Sequence, residues 1–208
     1  MVDSVAMKWS KPDLNQHWRS YGFCSVDIET TGLEFQKDEV ISVGAINITD
    51  GRFSSVGNFY EEISPVNKPS ISSIQVHGLR GVDLESARPV DQVMSEFVTH
   101  IGNRFLVTHA GWVERGFLSA PLKKQGYKFP KNIIDTAALA RFSGYADESS
   151  DHEPSLEFLA RKLNLPVYAP HHALGDAMTT AVVFLALVSE IEKTQEVLTL
   201  KKLLELSQ

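Results

Sequence analysis

The order of apolar and polar positions divides the chain into strands followed by helices. An apolar, β-rich run over residues 21–28 predicts a strand, and 39–48 predicts another. Thr49-Asp50-Gly51 separates the second run from a third over 53–63, and an Asp-Gly pair between apolar runs signals a hairpin. The chain therefore opens as an antiparallel meander. Residues 64–84, broken by Pro65, Pro69, Gly78 and Gly81, predict irregular structure. Beyond them the period changes. Val93, Met94, Phe97, Val98 and Ile101 recur at helical spacing, and Gly102-Asn103 stops that helix. A short strand over 104–108 precedes a helix whose face carries Val113, Phe117, Leu118 and Leu122, ended by Gly126. Ile133-Ile134 predicts a short strand, and Asp135-Thr136 can cap the helix after it. An acidic loop over 143–154 leads to a helix over 155–163 and a longer one over 175–192, striped by Ala177, Ala181, Phe184, Val188 and Ile191.

A meander followed by alternating helices and strands predicts an α/β domain, with a mixed sheet flanked by helices. No internal repeat with a period of roughly 20–50 residues is present. Residues 1–20 have no periodicity and read as an N-terminal extension, whose Trp9 and Trp18 either pack back on the domain or stay outside it. The domain proper spans 21–193. Residues 194–208 read as a helical tail with an apolar stripe of Val197, Leu200, Leu203 and Leu204.

Composition narrows the function more than the fold. With 208 residues, 43% hydrophobic and 22% charged, the chain is neither disordered, fibrous nor disulfide-stapled. Lys plus Arg is 20 against 26 for Asp plus Glu, a net charge of −6. Such a surface lacks the basic footprint of a nucleic-acid binder, so a phosphate substrate would need a local site where metal ions supply the positive charge. Cys24 is the only cysteine, which excludes an intramolecular disulfide and suggests a reducing compartment. The first twenty residues have no apolar signal core, and the charge-free stretch 177–189 is too short to span a bilayer. These features predict a cytoplasmic protein with no membrane partner.

Three segments place acids at the ends of apolar elements. In Asp27-Ile28-Glu29-Thr30-Thr31-Gly32-Leu33, residues two apart on a strand share a face, which sets Asp27 beside Glu29. Paired carboxylates repel and resist desolvation unless a cation neutralises them, and hard divalent cations take such oxygen ligands. A solvent-facing polar edge would show the same pattern. In His171-His172-Ala173-Leu174-Gly175-Asp176, Asp176 falls in the first turn of a helix, where the dipole favours an anion. His171 precedes that helix and has the chemistry of a general base, or is a solvated loop residue. In the third segment, 107–118, Glu114 sits where a strand passes into a helix.

Taken in order, these segments resemble the DEDDh family of 3′–5′ exonucleases, on the ribonuclease-H-like (DnaQ-like) fold. The resemblance covers roughly 21–191. Asp27 to Leu33 is similar to the family's first motif and His171 to Asp176 to its third. Val76-His77-Gly78-Leu79 resembles its Ile-His-Gly-Ile segment, and Ile134-Asp135-Thr136 its Asp-Thr segment. The resemblance implies a mixed five-stranded sheet and two divalent ions, Mg2+ or Mn2+. In that scheme Asp27 bridges both ions, Glu29 and Asp176 complete one site, Glu114 serves the other, and His171 is the general base. It also implies substrate contacts at Thr30, Thr31, Leu33 and His77. Leu33 would wedge against terminal bases or else pack in the core. Trp112 suits a core position better than a stacking one. The implied partner is single-stranded nucleic acid with a free 3′ end, with a second copy of the chain or a polymerase as protein partner.

The second motif departs from the family. The usual His-Asn, then aromatic-Asp, then Phe-Leu becomes His109-Ala110, Val113-Glu114 and Phe117-Leu118. Ala110 removes an amide, and Glu114 stands one methylene longer than the family's aspartate. Glu114 keeps the charge and is expected to serve as the fourth acid. The alternatives are a catalytically weakened binding or protein-interaction module, or a proofreading subunit of a polymerase.

Overall fold

The computed structural model describes residues 12–54, 56–147 and 152–208. Trp9 lies outside them. The sheet begins with β1 (Phe23–Thr30), β2 (Val40–Thr49), β3 (Arg52–Phe53) and β4 (Phe59–Glu62), and is completed by β5 (Phe105–Thr108) and β6 (Ile134–Asp135). Its order is β3-β2-β1-β5-β6, with β4 also paired to β2. The first strands are antiparallel, whereas β5 and β6 run parallel to β1. The strand expected over 53–63 is divided in two because Gly57, at φ 77°, turns the chain out of the ladder. Both halves still pair with β2, so the sheet keeps five positions across.

Helices α1 (Ile71–His77), α2 (Val90–Ile101), α3 (Trp112–Lys124), α4 (Thr136–Phe142), α5 (Leu156–Lys162), α6 (Ala173–Glu192) and α7 (Leu200–Leu206) complete the fold. α1 falls in the stretch expected to be irregular. Ser70 caps it by accepting the Ser73 N–H, and Gly78 ends it in the left-handed region at φ 78°. None of its residues is buried, so no apolar stripe betrays it in the sequence.

Alternation along β1 assigns the two faces of the sheet. Cys24, Val26 and Ile28 enter a core with Val93, Phe97 and Leu118, from α2 and α3. Phe23 enters the other core, with Phe184 and Leu187 of α6. Asp27 and Glu29 share the parity of Phe23 and therefore face the α6 side. α6 is long and apolar enough, by length and composition, to cross a membrane, but 56% of its most apolar window is buried inside this domain.

The described part of the segment read as an extension is bound to the segment read as a tail. The Trp18 N–H donates to the Leu198 carbonyl at 3.0 Å, Leu200 N–H to Gln16 at 3.1 Å and Lys201 N–H to Leu14 at 2.8 Å. Trp18 is fully buried beside Phe23 and Phe184. Its indole N–H donates to Glu192 at 2.7 Å, a carboxylate that Arg19 also grips through two hydrogen bonds.

Candidate active site

Asp27 and Glu29 sit on the outer half of β1, where the strand bulges between Glu29 and Thr30. Asp27 lies opposite Gly44 of β2. A Cβ on Gly44 would overlap the backbone of Ala173 and Leu174, so the first turn of α6 lies directly on the sheet. That approach delivers Asp176. Asp27, Glu29 and Asp176 each offer an oxygen, and these oxygens all lie within 4.8 Å of one another.

Desolvation is the largest influence on all three and raises each pKa; Glu29 reaches about 7. Asp27 is raised further by the negative charges of Glu114, Glu29 and Asp176, in that order. Burial pushes Glu114 up to about 8, with its own backbone N–H opposing and Asp135 reinforcing the shift. Glu114 is only 2% exposed, and its Oε2 has no hydrogen-bond partner. An orphaned buried carboxylate oxygen beside three converging carboxylates fits an all-oxygen site for hard divalent cations. Glu114 stands outside the tight trio, backing Asp27.

The backbone N–H of His171 donates to Asp176 Oδ2 at 2.9 Å, with His171 itself in the left-handed region at φ 59°. Its exposed imidazole turns toward Glu157, with Nε2 3.9 Å from Oε1. The neighbouring His172 is the N-cap residue of α6 and stacks on Tyr60, centroids 4.4 Å apart. The two histidines are therefore in different surroundings, and only His171 opens onto the cleft beside Asp176.

The residues expected at the substrate are spread more unevenly. Leu33 is 73% exposed rather than packed in the core, and Trp112, expected inside, is 54% exposed, edge-on to Phe35 at 6.0 Å. Phe35 packs directly over Gly116 of α3, where a Cβ would overlap its ring. His77 accepts the Leu79 N–H at Nδ1, while its buried Nε2 lies near the Thr30 backbone without a hydrogen-bond partner. Burial lowers its pKa, and the nearby His171 lowers it further. The Thr30 hydroxyl donates to the Gly32 carbonyl at 2.7 Å. Thr31 lies beneath the surface beside it. It is 1% exposed, its N–H donates to the Glu39 carbonyl, its carbonyl accepts from Ser70 and Ser73, and its hydroxyl donates to Asp38. Every polar group of Thr31 is engaged in holding the loop.

The exonuclease family model RNase T matches residues 25–184. The chain belongs to this exonuclease family. A PolC-type DNA polymerase III from Thermotoga petrophila is 34% identical over 172 residues, 82% of this chain and 12% of that protein. Its counterpart from Staphylococcus haemolyticus is 29% identical over 80% of this chain and 11% of its own length. The chain thus spans about an eighth of these relatives. Among solved structures, the nuclease domain of 3′hExo, a DEDDh family member bound to rAMP, superposes with a TM-score of 0.68 at 18% identity. That match covers 86% of this chain and 95% of the other. Exonuclease X in complex with 5′ overhanging duplex DNA gives 0.66 at 20% identity, covering 89% and 99%. The ribonuclease-H-like fold expected from the sequence is the fold of these neighbours.

One residue near the site escapes a reading of the sequence alone, and another, Asp135, is legible there as a cap but not as the anchor of the second motif. Asp135 caps α4 at the Ala137 N–H and also accepts from Ala110 at 3.1 Å and Gly111 at 3.0 Å. It thereby pins the second motif, in which Ala110 occupies the left-handed region at φ 59°. The signal is the Asp-Thr pair itself, which by local pattern is only a cap. Glu157, facing His171, has no signal beyond its place in a helix.

Proposed function

We propose that this exonuclease domain is a divalent-metal-dependent 3′–5′ exonuclease that releases nucleoside 5′-monophosphates from single-stranded nucleic acid. One observation carries the reading: three carboxylates from two elements, Asp27, Glu29 and Asp176, converge within 4.8 Å in a protein of net charge −6. Folding three desolvated acids together is costly without cations.

Asp27, Glu29 and Asp176 would hold one ion and Asp27 with Glu114 the second, the orphaned Oε2 of Glu114 being available for it. Two Mg2+ or Mn2+ ions there supply Lewis-acid stabilisation of the attacking and leaving oxygens of an in-line displacement. His171 accepts the proton of the attacking water. Its exposed ring is free to reach that water while its backbone stays bonded to Asp176. Leu33 offers an apolar surface to the terminal bases, and His77 with the Thr30 main chain borders the end of the strand. Thr31 supports that loop from within.

The test is digestion of 3′- and 5′-labelled single-stranded DNA and RNA with magnesium or manganese. Mononucleotides should appear from the 3′ end and EDTA should stop their release. Digestion unaffected by EDTA, or running strictly from the 5′ end, would overturn the mechanism. Absence of any digestion with retained oligonucleotide binding would favour a weakened binding module. The 34% identity to a PolC-type polymerase supports a second reading, in which the domain works beside a polymerase. Co-purification with a polymerase would support that placement.

A further inference from the structure

α5 buries Leu159 and Ala160 and turns Phe158, Arg161 and Lys162 outward, at the i, i+3 and i+4 spacing of one helix face. These three side chains and Glu157 wall a cleft of about 840 Å³ whose opposite side carries His171 and Asp176. Phe158 is 51% exposed, a large ring left uncovered at the wall of that cleft. Lys162 holds its ammonium over one face of the ring, 5.5 Å from the centroid, while donating to the Tyr145 carbonyl at 2.8 Å. Arg161 donates to Glu157 Oε2 at 2.8 Å, and the other oxygen of Glu157 faces His171. A half-exposed aromatic ring with a cation over one face and Arg161 on the same helix face, continuous with a phosphodiester-cleaving site, matches one nucleotide: the base on the ring's other face and phosphates beside the cations.

We infer that the α5 face of Phe158, Arg161 and Lys162 is a strand-binding subsite, which stacks a base of the single-stranded substrate next to the scissile linkage and holds its flanking phosphates. The inference rests on the exonuclease reading above and adds to it the residues that grip the strand on the His171 side. It explains how an acidic protein holds a polyanion: the cations are few, but they stand at the mouth of the site. Glu157 keeps Arg161 extended along the cleft until a phosphate competes for it.

The experiment measures oligonucleotide binding by fluorescence anisotropy in calcium and steady-state digestion in manganese, for the full chain and its variants. Phe158→Leu preserves apolar bulk but not a stacking face, and should weaken binding and raise KM roughly fivefold or more, whereas Phe158→Trp should restore both. Arg161→Ala with Lys162→Ala should lower the slope of log affinity against log salt by about 0.7 for each phosphate no longer neutralised. Thermal melts establish that each variant is folded. Wild-type digestion together with Phe158→Leu and the double alanine variant equal to wild type in affinity, KM and salt slope would overturn the subsite and leave the exonuclease reading standing. A wild-type protein that neither binds nor digests single strands would overturn both. Equal loss in Phe158→Leu and Phe158→Trp would identify a packing role and also overturn stacking.

Discussion

Asp27, Glu29 and Glu114 are carboxyls held where a negative charge is poorly solvated. Their folded-state pKa values are raised, Glu29 to about 7 and Glu114 to about 8, with burial as the leading cause. The folded protein therefore binds protons that the unfolded chain has released, and stability must fall as pH rises from the ordinary carboxyl range through those raised values. In EDTA, the melting temperature should drop from about pH 5 to about pH 8, and manganese should restore it at the upper end. A metal-free melting temperature that rises over this interval would contradict the placement of these acids. Glu114→Gln removes one burden and one ligand together. The metal-free variant should be as stable as wild type or more so at the alkaline end, while its rate in saturating manganese falls at least tenfold, about 1.4 kcal/mol of barrier. A wild-type rate would make Glu114 a bystander. His171→Ala should lose about 10²–10⁴ in rate with little change in metal affinity. His172→Ala, which unstacks a ring from Tyr60, should chiefly affect stability; the reverse pattern would assign the base to His172. Strand parity and helix position put the acids at element ends, and only their order along the chain, through its resemblance to the exonuclease motifs, marks them as one site. Glu157 is not legible there, because its relation to His171 depends on a fold-back between helices that no local period encodes.

At the scale of elements, the site depends on how closely a helix can approach a strand. Gly44 faces Asp27 across the ladder, and the absent Cβ is the space into which the first turn of α6 settles. Gly44→Ala should push α6 outward, cost about 1–3 kcal/mol as overpacking does, and weaken manganese affinity by moving Asp176 away from Asp27. Calorimetric titration with manganese measures the second effect; unchanged affinity in a destabilised variant would show that Asp176 is not delivered by this contact. The main strands and α2, α3 and α6 are readable in the sequence because each buries a periodic apolar face. α1 is not, since it is held by the Ser70 cap and bonds to Thr31 rather than by burial. The break between β3 and β4 is legible in part, since Gly57-Asn58 interrupts the run over 53–63, but the sequence does not tell that this glycine takes the left-handed region rather than continuing the strand. The surroundings of Trp112 depend on Phe35 occupying the face of α3 above Gly116, a long-range choice invisible to local pattern.

Over the described residues as a whole, the segments 14–18 and 198–201 are coupled to the core that supports the site. Residues 14–18 and 198–201 are hydrogen-bonded to each other, Trp18 shares a core with Phe23 at the start of β1, and Glu192 at the end of α6 holds both Trp18 and Arg19. The strand bearing Asp27 and the helix bearing Asp176 are thus tied at their far ends as well as at the site. In the middle of this arrangement lies Cys24, the sole thiol, fully buried three positions before Asp27 and with its pKa pushed up to about 12 chiefly by burial. A buried thiol with so high a pKa reacts only while its strand is open. Cys24 is therefore a built-in clock for the opening of the central sheet: its alkylation rate under native conditions counts excursions of the very strand that carries the first two acids. Manganese binding to the closed form should slow that clock by the factor one plus the metal concentration over its dissociation constant, and alkylation indifferent to manganese would mean that the sheet opens without releasing the metal.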